Sequence, residues 1–161
     1  MIGLPPIVVV ATLGVAWFAG LWVIASIYFY WQWRHYTRQS WGISRACRGK
    51  DPSARYDDVW LDQAIFYAIP VFRIIARSAS QAPTFIGMEL WSVPVPPVLA
   101  TVSGYIAFAL LAVWLAGRAR AAAEGRLAIV RTMYMLTHLA IFFLAYIGTS
   151  DITPGWLMIN I

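Results

Sequence analysis

The sequence predicts an all-α, polytopic transmembrane protein with four spans and both termini on the non-cytoplasmic side. Three observations lead there. Of 161 residues, 61% are apolar or aromatic and only 12% are charged, about half the charged share of an ordinary soluble domain. Nine Trp and eight Tyr suit a chain with many membrane–water boundaries, where such rings anchor. The apolar residues come in runs near the ~20 residues a helix needs to cross the hydrocarbon core. A disordered tail and a disulfide-stapled module are excluded by the same composition.

The first run, Leu4 to Trp33, is uncharged and reads as one span. Pro5 and Pro6 open it, where missing N–H groups cost little. Tyr28, Phe29, Tyr30, Trp31 and Trp33 close it as an aromatic band before Arg34. Ala16 and Gly20 form a small-xxx-small pair suited to close helix packing. The start lacks the basic n-region of a cleavable signal peptide, so the run is expected to stay as an anchor. Residues 34–58, with Arg34, Arg38, Arg45, Arg48, Lys50 and Arg55, read as a polar loop.

The segment 59–77 is apolar but carries Asp62, Gln63, Arg73 and Arg77 on one helical stripe. It either lies flat in the interface or crosses with the stripe toward a protein interior. Crossing puts the 34–58 loop and the basic 118–126 turn on one side, and leaves the 78–97 loop and both termini without Lys or Arg on the other. Four spans follow, over about 4–33, 59–77, 98–117 and 127–147. Against crossing, Arg73 and Arg77 sit near the outer end of the second and have to snorkel outward, and Pro70 is expected to bend or break it. Five residues of the 78–97 loop are Pro or Gly (Pro83, Gly87, Pro94, Pro96 and Pro97), as in a structured outer lid. Thr153-Pro154 reads as the start of a further helix over 153–161, so the tail either packs on a partner or continues in a longer chain.

Ionisable groups within spans need partners. Asp62 and Arg131 each lie about 5–6 Å in from the same side at 1.5 Å per residue, which suggests a structural ion pair between two helices. Arg131, Tyr134 and His138 share a face of the last span. His138, near mid-membrane, is either satisfied by Thr101, Ser103 or Tyr105 of the preceding span, or ligates a haem or chlorin, contacts a quinone or relays a proton. His35 sits at the opposite depth class, beside the cytoplasmic surface, so the two histidines do not bracket one iron.

Cys47 is the single cysteine, which excludes an internal disulfide and multi-thiolate metal sites. The +5 charge is expected to hold loops at the cytoplasmic face and touch anionic lipid. Nucleic-acid binding is not expected, because the aromatics form no stacking platform among the arginines.

Three functional classes remain. The first is a subunit or accessory/assembly protein of a larger membrane complex, in the lipid bilayer with other membrane subunits, such as one of respiratory or photosynthetic electron transfer in a bacterial inner membrane. The second is a small membrane enzyme or redox subunit with its site at His138, Tyr134 and Arg131. The third is a transporter component.

Overall fold

The first helix starts where the paired prolines permit and stops at a glycine. In the computed structural model, which describes residues 4–80, 84–147 and 153, α1 spans Leu4–Ala19 and α2 spans Leu21–Lys50. Gly20 between them has φ +94°, and a Cβ there would stand 2.9 Å from Trp22 Cδ1. Only glycine takes that conformation without strain. The single span expected over 4–33 is therefore two helices. Ala11, Thr12 and Val15 of α1 and Ile24, Ile27, Tyr28 and Trp31 of α2 line an open groove of about 430 Å³. These residues lie at matched distances either side of Gly20, so the helices turn back toward each other there.

The loop expected over 34–58 is corrected as well. α2 continues to Lys50. Its buried positions, Phe29, Gln32, Thr37, Trp41 and Ser44, keep helical spacing past the aromatic band, and arginine is a good helix former. Asp51 then ends α2 and accepts from Ser53 N, starting a 3₁₀ turn over Pro52–Tyr56. Asp58 caps the next helix by accepting from Trp60 N and Leu61 N, satisfying two otherwise orphaned donors.

That helix, α3, covers Val59–Ala79 and runs through Pro70 without interruption. A small antiparallel hairpin follows, β1 (Thr84–Phe85) and β2 (Met88–Glu89). Ile86 and Gly87 both have positive φ, the geometry of a tight type I′ turn. Helix α4 covers Pro97–Ala123 and α5 covers Ile129–Ile147. α4 thus extends well into the expected 118–126 turn. Gly125, at φ +66°, reverses the chain beyond it. The helix expected over 153–161 lies outside the described residues except for Thr153, whose Oγ1 accepts from Ile86 N at 2.7 Å.

Among the described residues the architecture is all-helical apart from turns and the hairpin. Two helices, Val59–Ala79 and Pro97–Ala123, are long and apolar enough to cross a membrane. α3 is central: α2, α4 and α5 pack around it, and Ile65, Phe66 and Ile69 lie in the core with Trp41, Trp114 and Met135. The segment after β2 is pinned to α2, with Trp91 N donating to Ser26 Oγ and Val93 N to Tyr30 Oη, both at 2.9 Å.

Close approach of α3 and α4 depends on Gly104, where a Cβ would meet Phe72 Cε2 at 2.9 Å. Overpacking of this kind costs about 1–3 kcal/mol. Gly104→Val is expected to lower the thermal midpoint in detergent, and Phe72→Leu in the same chain to restore most of it. An unchanged midpoint for Gly104→Val would exclude this contact.

Candidate functional site

The most polar part of the interior lies where α3, α4 and α5 meet the end of α2. Asp57, just ahead of α3, is its hub. Its Oδ1 accepts from Arg118 Nη1 and its Oδ2 from Arg131 Nη1, each at 2.5 Å. Arg131 Nη1 also lies 2.6 Å from Asp62 Oδ2. The other Asp62 oxygen accepts from Trp114 Nε1 at 2.7 Å, and Arg131 Nε donates to Ser44 Oγ at 3.3 Å. Arg48 holds the connecting turn in place by donating to the carbonyl of Ala54 at 3.1 Å.

The side chains of Asp57, Asp62 and Arg131 are 3%, 1% and 1% exposed. Two carboxylates face two guanidinium groups, so the cluster is neutral. Each charge is already compensated at short range, as buried charges must be. The arrangement clamps four segments of chain together and leaves no free acid or base for chemistry.

Sequence reasoning reached Asp62 and Arg131 but missed Asp57, Arg118, Trp114 and Ser44. Asp57 precedes the apolar run, in a stretch whose charges read as a polar loop. The stripe Asp62–Gln63–Arg73–Arg77 also divides: Asp62 turns inward, while the Arg73 guanidinium lies 5.0 Å from the Phe72 ring and 5.8 Å from that of Phe143.

His138 has a different setting. It is buried between Phe66 and Phe142, with ring centroids 4.4 and 4.5 Å away. The imidazole makes a backbone hydrogen bond with Phe66. In a continuous helix the Phe66 carbonyl would accept from residue 70, but residue 70 is a proline and has no N–H. His138 therefore satisfies the carbonyl that Pro70 leaves open. The expected partners on α4 are corrected: Thr101 Oγ1 donates to Pro97 O, Ser103 Oγ donates to Ala100 O, and Tyr105 is exposed.

His138 Nε2 is buried without a hydrogen-bond partner among the described residues. Protein atoms close around it, and an aromatic ring packs on each side. A haem, chlorin or quinone ring does not fit at this nitrogen without opening the core. Tyr134 is half-buried against the core. Arg131 and His138 are about 10 Å apart along α5 at 1.5 Å per residue, and each is bound to different groups. The three residues share a helix face without forming one site. Among the described residues no three His, Cys, Asp or Glu converge to hold a metal ion.

A further polar feature is on the surface. The Trp41 and Phe66 rings are 5.5 Å apart, and Tyr30 Oη is 2.8 Å from Ser78 Oγ. These contacts fix α2 antiparallel to α3 at two heights. From Tyr30 to Trp41 is about 16 Å and from Phe66 to Ser78 about 18 Å at 1.5 Å per residue, so the segments run in step. Arg34 and Arg38 lie between the two fixed points and are exposed. Arg38 stands level with the middle of α3, a helix apolar enough to cross a membrane, and Arg34 about 6 Å nearer its Ser78 end. At the same height, where Gly104 meets Phe72, α4 exposes Tyr105, Ile106 and Phe108. One side of the bundle is basic where the other is apolar. No protein-family model, curated protein or solved structure matches this chain.

Proposed function

We propose that the chain is an integral membrane subunit, or an accessory or assembly protein, of a larger membrane complex. The carrying observation is the unequal pair of flanks. Tyr105, Ile106 and Phe108 on α4 suit lipid. Arg34 and Arg38, at the same height on α2, do not, since charged side chains at membrane depth face protein or a water-filled cavity. A neighbouring subunit against α2 resolves the mismatch.

In this reading α2, α3, α4 and α5 make four crossings, and both terminal segments attach at the outer end. Support comes from Asp57, whose bonds to Arg118 and Arg131 hold the 51–58 turn beside the turn between α4 and α5. That end of the bundle also carries Arg45, Arg48, Lys50, Arg55, Arg120 and Arg126, whereas residues 80–97 contain no Lys or Arg. Such a distribution fits a bacterial inner membrane with the arginine-bearing turns in the cytoplasm. The closed packing around His138 gives no support to the redox-site reading.

Two measurements test this. Extracted from native membranes in mild detergent, the chain is expected to run with other subunits, far above its own 18.0 kDa plus micelle. A lone monomer would overturn the proposal. A membrane-impermeant maleimide is expected to reach Cys47 only from the cytoplasmic side. In a Cys47→Ser background, it is expected to reach Ser92→Cys only from outside. Labelling of both from one side would overturn the four crossings.

A further inference from the structure

The exposed face of α2 has a regular order. Ile27, Trp31, Arg34, Arg38, Gly42 and Arg45 follow at intervals of four, three, four, four and three residues, which makes one straight stripe along a helix. All six are exposed, and Ile27 and Trp31 also border the groove shared with α1. At the apolar end, Trp22, Trp31 and Trp91 wall a cavity of about 630 Å³ that Arg34 also lines. Trp31 and Arg34 continue into a smaller cavity of about 140 Å³ with His35 and Arg38. Among the described residues, no carboxylate pairs with Arg34, Arg38 or Arg45. At Gly42 an added Cβ would meet nothing within 4 Å, so another backbone has room to approach.

We infer that this stripe docks a membrane-embedded helix of a different protein. That helix presents carboxylates opposite Arg34 and Arg38, and bulky apolar side chains opposite Ile27 and Trp31. The inference rests on the subunit reading above and adds the partner's chemistry. Charge complementarity sets the carboxylates. Depth selects a protein over a phospholipid: headgroups sit at the ends of a span, whereas Arg38 stands level with the middle of α3 and Arg34 about 6 Å nearer its Ser78 end. The 3–4 spacing is the recognition pattern of a helix laid against a helix.

Lys50 is the only lysine in the chain, which permits a clean test. In a Lys50→Arg background, Arg38→Lys supplies a single side-chain amine on the stripe. A zero-length carbodiimide, applied to native membranes, joins such an amine only to a carboxylate in direct contact. The expected product is an adduct with a different protein, mapped by mass spectrometry to an Asp or Glu within an apolar segment. The diagnostic adduct is one mapped to residue 38, which the background chain without Arg38→Lys cannot form. An adduct of lipid mass, an adduct of two copies of this chain, or no adduct overturns the inference.

A second variant separates this failure from failure of the subunit reading. Arg34→Glu with Arg38→Glu is expected to reduce recovery of the high-mass assembly at least tenfold, with helicity by circular dichroism unchanged. Arg34→Lys with Arg38→Lys should retain it. An assembly that survives the charge reversal sinks the docking face and leaves the subunit reading standing. A wild-type chain that runs alone sinks both.

Discussion

Arg131→Met is expected to destabilise the folded protein by about 3–5 kcal/mol, the range for removing one member of a buried ionic group. The Arg131 side chain is 1% exposed and contacts Asp57 and Asp62 at once. Met fills much of the volume but leaves two carboxylates under compensated only by Arg118, which reaches Asp57 alone. Asp62→Asn should cost less. Asp57 still neutralises Arg131 in that variant, and the Asn carbonyl still accepts from Trp114. The double variant Asp62→Asn with Arg131→Met should cost less than the sum of the two, because Asp62→Asn removes the charge that Arg131→Met strands. Unfolding in detergent, followed by tryptophan fluorescence, measures all three. Strict additivity, or a cost under 1 kcal/mol for Arg131→Met, would contradict the geometry.

Trp114→Ala is expected to be as damaging, at about 3–5 kcal/mol for truncating a fully buried Trp. Trp114 is 0% exposed and plays two roles. It fills the contact between α3 and α4, and its Nε1 donates to Asp62. Trp114→Phe separates the two. The ring volume largely survives, and the loss reduces to one hydrogen bond to a charged acceptor, about 1.5–3 kcal/mol. A Phe variant as unstable as the Ala variant would mean that the hydrogen bond carries the whole effect. A Phe variant as stable as the native chain would mean that it carries none.

The parts of the fold legible in the sequence are those written as unbroken apolar runs. The segments expected over 59–77, 98–117 and 127–147 correspond to Val59–Ala79, Pro97–Ala123 and Ile129–Ile147. Nothing comparable marks the polar half of α2. Its inward face there is Thr37, Trp41 and Ser44, one apolar residue between two hydroxyls, amid arginines that read as a loop. Gly20 was visible, but the sign of its φ angle was not, so the fold-back looked like a continuous span. Counting depth from the ends of apolar runs leads to Asp62 and Arg131. It passes over Asp57, which enters the interior from a turn. The sequence contains both Pro70 and His138, but their match depends on the register of α5 against α3, which no local pattern encodes.

The clamp at Asp57 also has a consequence in time. Its two partners lie 61 and 74 residues downstream. At roughly 5–20 residues per second, the ribosome needs about 4–15 seconds to supply the second. Through that interval a nascent chain with α3 already made carries two acidic groups whose final counter-charge does not yet exist. Until translation delivers Arg131, the ion pairs that compensate Asp57 and Asp62 in the folded chain cannot be completed.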